Sequence, residues 1–252
     1  MKLQIILISF FLLVSGPALG WSSIDKTGMI GQFYKANAAY KANSYEEALK
    51  LYQQIYEAGY ASAAVYYNMA NCFIKQSHVG LGLLWYERAL RLWPRDADVL
   101  VNHSFAQGLI KNPEPRVQKG LAQRIFVHLP RVSRDEIVMV LVLVFVAMSS
   151  MVLTGLYLRW RFKKTVVVLV ILGALFVFHV FAFVVKIDSD RDQSIVLETA
   201  EVKYEPESGA TTHYTAYEGW KVRLLRESEG WVKIERPDGL QGWIPSDKVE
   251  KI

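Results

Sequence analysis

The stretch AAVYYNMANCFIKQSHVGLGLLWYERALRLWP, residues 63–94, belongs to a pattern that repeats every 34 residues. Ala36-Asn37 recurs as Ala70-Asn71, and Tyr52 recurs as Tyr86. A fixed period of this length is typical of stacked helix pairs, in which each pair buries its apolar face against its neighbours. The pattern therefore predicts an all-α array over residues 21–112, with repeats at about 29–62 and 63–96 and a partial repeat at 97–112.

Residues 63–94 resemble one full tetratricopeptide repeat. The signature positions hold Tyr66, Met69, Ala70, Phe73, Gly82, Tyr86, Ala89 and Pro94. Small residues let the two helices approach closely, and Pro94 ends the second helix because proline cannot continue the backbone ladder. Two further helix starts are predicted, one from a capping box of Ser44 and Glu47 and one from Asp96 as N-cap.

The inner helices of tetratricopeptide arrays line a groove that binds partners, and the resemblance implies a similar surface here. The partner-binding residues expected from repeat position combine aromatic, amide and lysine side chains: Phe33, Asn37, Tyr40, Lys41, Tyr67, Asn68, Asn71, Ile74, Lys75 and Asn102. An asparagine carboxamide can both donate to and accept from an extended peptide backbone. The alternative is that these residues only support helix packing.

Two uncharged apolar runs follow the predicted array, at residues 137–158 and 165–185. At about 1.5 Å per helical residue, each can cross the roughly 30 Å hydrocarbon layer of a bilayer. Between them lies RWRFKK, residues 159–164, with the cations Arg159, Arg161, Lys163 and Lys164. Short basic loops stay on the cytoplasmic side. The sequence thus predicts a two-pass membrane protein with both soluble parts outside the cytoplasm, either periplasmic or extracellular.

The N-terminal segment and the stretch before the first span carry weaker patterns. Residues 1–20 are typical of a secretory signal peptide, with Lys2 before an apolar run and the small residues Ala18 and Gly20 at the usual cleavage spacing. An uncleaved anchor helix is the alternative. Residues 113–136 are predicted to be either a linker or a helix lying at the membrane interface. The single cysteine, Cys72, falls in an apolar helical pattern and is predicted to be a packed structural thiol.

Residues 190–252 change to alternating polar and apolar positions. Five such runs, SIVLE, EVKYE, WKVRLL, GWVKIE and KVEKI, predict a small five-stranded all-β barrel. Gly230-Trp231, Asp238-Gly239 and the GWIP sequence at 242–245 resemble the bacterial SH3-type domain. Such domains bind through surface aromatic residues, for which the candidates are Tyr204, Tyr214, Tyr217 and Trp220. His213 and Tyr214 are expected in a polar loop without catalytic partners.

The sequence contains no metal-ligand spacing, phosphate-binding loop or nucleophile arrangement, so we expect no cofactor, no metal and no enzymatic activity. The order of segments, together with YYNMAN and LLWYERALRLWP, resembles the BatE family of the bacterial aerotolerance (Bat) operon. The resemblance implies a periplasmic scaffold in aerotolerance or envelope stress, with von Willebrand A-type membrane proteins and a MoxR-type ATPase as partners. The alternative is a peptidoglycan-binding adaptor that recruits cell-wall enzymes. Nucleic acid is not expected, since the basic cluster lies in a membrane loop.

Overall fold

A computed structural model describes residues 26–115, 132–157 and 163–252. The predicted signal peptide at 1–20, most of the predicted linker, and the loop residues Arg159 and Arg161 lie outside this part of the chain. Lys163 and Lys164 lie inside it, at the start of a long helix.

The N-terminal described segment consists of helices in an order that follows the predicted repeats. They are α1 (Lys26–Lys41), α2 (Tyr45–Glu57), α3 (Ala63–Lys75), α4 (Val79–Leu92) and α5 (Ala97–Gly108). The starts of α2 and α4 are 34 residues apart, and so are those of α3 and α5. Each helix packs on the next along the chain. The sequence period is therefore a period of helix pairs.

Small buried residues set the distance between these helices. Ala70 and Ala89 are fully buried. A Cβ on Gly82 would lie 2.4 Å from Ile74 Cδ1, so a larger residue would force the Ile74 side chain out of its place between α3 and α4. The thiol of Cys72 is free and buried in the same core, as expected of a structural cysteine, and burial raises its pKa to about 12.

The two predicted helix caps have different outcomes. Asp96 caps α5 as predicted, because its Oδ1 accepts from the Val99 amide at 3.0 Å. Helix α2 begins directly after Ser44, but the Ser44 side chain makes no capping hydrogen bond, so the predicted capping box is wrong. The Ser44 amide, which Glu47 would need, already donates to Ala39 O at 2.9 Å and closes the end of α1.

The central segment is a pair of long apolar helices, α6 (Arg134–Tyr157) and α7 (Lys163–Asp190), which pack against each other. Residues Arg134–Gly155 and Val166–Asp188 are long and apolar enough to cross a membrane. Only 6% of the most apolar window of each is buried, unlike the core helix of a soluble protein. Helix α6 begins before residue 137 because Ser133 and Glu136 form a capping box, with amide–side-chain distances of 2.8 and 3.1 Å.

The C-terminal segment is one antiparallel sheet of seven short strands. They are β1 (Gln193–Val196), β2 (Ala200–Lys203), β3 (Thr212–Ala216), β4 (Lys221–Ser228), β5 (Trp231–Glu235), β6 (Gln241–Pro245) and β7 (Val249–Lys251). Their order in the sheet is β3-β2-β6-β5-β4-β1-β7. All-β structure is confirmed here, with more strands than the five predicted.

The two strands that the sequence did not predict have identifiable causes. Strand β3 contains His213 and Tyr214, which were expected in a polar loop, because the sequence THYTA has only weak alternation. It is a strand because it pairs with β2 over four residue pairs. Strand β6 contains Gly242 and ends at Pro245, and both residue types usually indicate a break. Gly242 is needed there because a Cβ would lie 2.5 Å from a methyl group of Val202.

Helix α4 of the array docks on strand β1 of the sheet. A Cβ on Gly80 would lie 2.6 Å from the main-chain oxygen of Leu197, so the helix and the chain after β1 are in backbone contact. The Gly80 amide donates to Glu218 Oε1 at 2.7 Å. Ile195 is buried in the core of the helical array rather than in that of the sheet. The helical array and the sheet therefore share one apolar interface.

A charge cluster lies at the same interface. Lys221 Nζ of the sheet lies 2.9 Å from Glu87 Oε2 of α4, and His103 Nε2 of α5 lies 3.1 Å from Glu87 Oε1. Glu114 accepts a hydrogen bond from the Lys221 amide. Burial opposes ionisation of Glu87, but Lys221 and His103 outweigh it and hold the pKa of Glu87 at about 2. Arg88 adds an ion pair with Glu250 at 2.7 Å.

Replacing Gly80 tests the docking. We expect Gly80→Ala to separate the array from the sheet, because its Cβ would overlap the Leu197 backbone, which no side-chain rotation can relieve. Hydrogen exchange should then speed up in β1 and at the start of α4, while circular dichroism keeps its helical and strand signals. Gly31→Ala is the control, since a Cβ there meets nothing within 4 Å. Unchanged exchange in β1 would contradict the contact.

The charge cluster gives a pH prediction. A carboxyl with a lowered folded-state pKa stabilises fully above its ordinary pKa, and its contribution is lost as the pH falls towards the folded-state pKa. For Glu87 the window runs from 4.5 down to about 2. We expect the difference in melting temperature between wild type and Glu87→Gln to be largest above this window and to vanish at its lower end. Lys221→Met should reproduce that profile, and a pH-independent difference would contradict it.

Candidate protein-binding surface

The predicted partner-binding residues lie on α1, α3 and α5, which form one surface, here called the inner-helix surface. Most of these side chains are half-buried, whereas Lys41 and Lys75 are exposed. Hydrogen bonds join neighbouring helices of this surface, with Asn68 Nδ2 donating to Asn37 Oδ1 at 3.2 Å and Asn102 Nδ2 donating to Tyr67 Oη at 2.8 Å. The structure thus brings the predicted residues together.

The asparagines form a hydrogen-bond ladder that repeats with the sequence. Asn37 Oδ1 accepts from Tyr52 Oη at 2.5 Å as well as from Asn68. One repeat later, Asn71 Oδ1 accepts from Tyr86 Oη at 2.5 Å and from Asn102 Nδ2 at 3.1 Å. Burial raises the pKa of both tyrosines, which keeps their hydroxyl groups protonated as donors. The ladder ties each helix pair to the next.

The ladder limits what the asparagines can offer a ligand. The oxygens of Asn37 and Asn71 are occupied, so neither side chain offers both a donor and an acceptor to a peptide, as the sequence suggested. Their Nδ2 groups make no hydrogen bond to a described residue, and neither does the oxygen of Asn102. The inner-helix surface therefore offers alternating single donors and acceptors.

Sequence reasoning missed an exposed apolar stripe on α5. Val101, Phe105 and Leu109 are 66%, 61% and 39% exposed. Val101 and Phe105 are four residues apart on one face of the helix, and Leu109, its C-cap, follows at the same spacing. The repeat period locates them, since they follow Tyr67, Asn71 and Lys75 by 34 residues. The stripe continues the inner-helix surface with apolar side chains where the preceding repeat carries mixed ones.

A cavity of about 580 Å³ lies where the inner-helix surface meets the sheet. The array contributes Ile74, Leu109 and Lys111 to its lining, and the sheet contributes Tyr217 and Glu218. Tyr217, one of the aromatic residues predicted for the surface of the sheet, thus lines this cavity. The cavity has apolar walls with charged groups beside them, which suits an apolar side chain flanked by polar main chain.

The other predicted aromatic residues of the sheet differ in exposure. Trp220 is only 4% exposed, and its Nε1 donates to Asn112 O of the array at 2.6 Å, so its prediction as a surface residue is wrong. It is covered because it belongs to the apolar core of the sheet, against which Ile110 from the array also packs. Tyr214 is half-buried, with the Arg236 guanidinium 4.9 Å from its ring centroid. Tyr204 is 59% exposed and stacks on His213 at 4.2 Å.

One edge of the inner-helix surface is basic. Lys41 and Lys75 end α1 and α3, and Lys111 follows α5 after a short turn. All three are exposed, and none forms an ion pair with a described residue. No group of three His, Cys, Asp or Glu that could hold a metal ion occurs in the described ranges. The surface therefore has the chemistry of a binding groove for an acidic, partly apolar segment.

No protein-family model matches the chain, and no curated protein sequence matches it.

Removing a ladder asparagine should destabilise the array. Asn37→Ala leaves the buried Tyr52 hydroxyl without its acceptor, so we expect the free energy of unfolding to fall by on the order of 1–3 kcal/mol. Asn71→Ala should behave alike through Tyr86. Chemical denaturation followed by circular dichroism measures both changes. Lys75→Ala is the control on the same surface, and an equal effect of all three changes would contradict the structural role of the ladder.

Proposed function

We propose that this protein is a non-enzymatic membrane scaffold whose helical array binds an extended segment of another protein. The observation that carries the proposal is the exposed stripe of Val101, Phe105 and Leu109, which leads into the cavity between array and sheet. Exposed apolar groups arranged in a row and bordered by polar ones are typical of interaction sites.

The array is proposed to be of the tetratricopeptide type, with two full repeats at about 29–62 and 63–96 and a partial repeat at 97–112. Its support is the repetition of helix starts and of the asparagine–tyrosine hydrogen bonds at the same interval. The sheet is proposed to be an SH3-type barrel, supported by the GWIP stretch in strand β6. Its first role here is to close one end of the groove with Tyr217 and Glu218.

The bound segment is proposed to be acidic with apolar side chains. Lys41, Lys75 and Lys111 would attract carboxylates along one edge, while Phe105 and the cavity would take apolar side chains. The free Nδ2 groups of Asn37 and Asn71 would donate to main-chain carbonyl groups of the segment. The amide groups would thus fix the orientation of the bound segment, and the apolar and charged contacts would select its side chains.

The two apolar helices are proposed to cross the bacterial inner membrane. Docking of the array on the sheet requires both soluble parts to lie on one side of the bilayer, which an even number of spans satisfies. The basic residues from Arg159 to Lys164 favour the cytoplasm for the short connection. Both soluble parts would then be periplasmic.

The resemblance to the BatE family extends the proposal to a partner. It implies a complex with von Willebrand A-type membrane proteins and a MoxR-type ATPase in aerotolerance or envelope stress. In such a complex, the basic edge of the groove would bind an acidic segment of the partner, and this contact can be tested.

A photoreactive residue at position 105, incorporated in living cells, tests the groove. We expect crosslinks to a membrane or periplasmic protein, and we expect Lys75→Glu to reduce them by reversing the charge at the groove edge. A photoreactive residue at Leu225, an exposed apolar position on the sheet, is the control. Equal products from both positions, or no effect of Lys75→Glu, would contradict a specific groove.

A second candidate function, wall binding, is favoured by the exposed stack of Tyr204 on His213, because aromatic faces stack on sugar rings. If this pair binds peptidoglycan, the detergent-solubilised full chain should sediment with purified cell wall, and Tyr204→Ala should abolish sedimentation. Sedimentation with wall but no crosslinks from position 105 would favour this adaptor role over the scaffold.

A further inference from the structure

The C-terminal end of α4 lies beside the start of α6 and the end of α7. Arg95 forms an ion pair with Glu136 in the first turn of α6. Arg91 donates to the main-chain oxygen of Asp190, the last residue of α7, at 3.0 Å. Asp190 also pairs with Arg134, the first residue of α6, at 3.4 Å. Helix α4 therefore directs its C-terminus at the ends of both candidate spans.

Two large apolar side chains are exposed at this end of α4. Leu92 is 50% exposed and Trp93 is 45% exposed. Together with Ser133 and Glu136, which cap α6, they line an open depression of about 320 Å³. Ile137, the next residue of α6, begins the apolar part of the span. Leu92 and Trp93 thus lie at the level where the first span begins.

The connection to the sheet fixes the height of the docked head, defined as the array and the sheet together. Only Arg191 and Asp192 separate the end of α7 from the start of β1. An extended chain covers roughly 3.5 Å per residue, so this link cannot lift the sheet far from the end of the span. Arg91 also donates to Ile252 O at 2.5 Å, which ties α4 to the C-terminal strand. The head cannot move away from the bilayer without breaking these contacts.

We infer that Leu92 and Trp93 insert into the interfacial layer of the bilayer and seat the docked head on the membrane. Tryptophan is enriched at this depth because its ring has an apolar body and a polar N–H. Arg95 lies beside it in the same depression, and guanidinium groups pair readily with lipid phosphates. This inference rests on the proposed membrane crossing by α6 and α7, and not on the proposed partner in the groove.

A nitroxide spin label at position 93 tests this seat. The variant Trp93→Cys of the full chain is labelled and reconstituted in phosphatidylcholine vesicles with a fraction of phosphatidylglycerol. Cys72 is fully buried, so labelling is expected only at the new cysteine. Power saturation compares accessibility to oxygen, which partitions into lipid, with accessibility to a nickel chelate, which stays in water. We expect a gain in oxygen accessibility and a loss of nickel accessibility relative to a label at Tyr204→Cys.

Two controls make every outcome decisive. A label at Val146→Cys, in the middle of α6 and exposed to its surroundings, reports whether the spans are in the bilayer. If that label is accessible to the nickel chelate, the membrane crossing fails and the inference fails with it. If it is lipid-exposed but the label at 93 behaves like that at 204, or is shielded from both reagents, the seat is overturned. Leu92→Cys should repeat the result at 93, which guards against a local effect of losing the indole.

Discussion

The contact of α4 with β1 is the constraint on which the rest of the structure depends. Gly80 brings the helix so close to the backbone at Leu197 that no side chain fits between them. Because of this contact, Ile195 from the sheet completes the core of the array, and Lys221 reaches Glu87. The cavity beside Ile74 and Tyr217 exists only because the two parts meet there. Separating them would remove a wall of the groove without unfolding either part.

The repeat explains what the sequence could predict. Positions such as Ala36, Asn37 and Tyr52 recur at a fixed interval, and local physics acts alike on each copy, so the helices and their buried small residues were predictable. The hydrogen-bond partners of the asparagines were not predictable from the repeat. From the sequence alone, an asparagine at a repeat position could contact a ligand or could link two helices. The hydrogen bonds from the Tyr52 and Tyr86 hydroxyl groups show that Asn37 and Asn71 link helices.

The failures of prediction share a physical cause, which is contact between residues far apart in the chain. Trp220 looked like a surface aromatic because nothing near it in sequence reveals that Asn112 will lie against it. Strand β3 was not predicted because its polar and apolar residues alternate only weakly. It forms because it pairs with β2. The capping box at Ser44 failed because its amide was already used by the end of the preceding helix. Local patterns give an element its type, but long-range partners decide which side chains remain available.

If α6 and α7 cross the membrane as proposed, the docked head gives the proposed binding surface a fixed orientation. Arg91 and Arg95 hold the C-terminus of α4 at the end of α7 and the start of α6, and the sheet holds its start through Gly80. Helix α5 packs on α4, so the stripe containing Phe105 inherits that orientation. A partner would then meet this stripe at one height and one angle above the bilayer. That restriction reduces the orientational freedom lost on binding and favours partners that are themselves anchored in the same membrane.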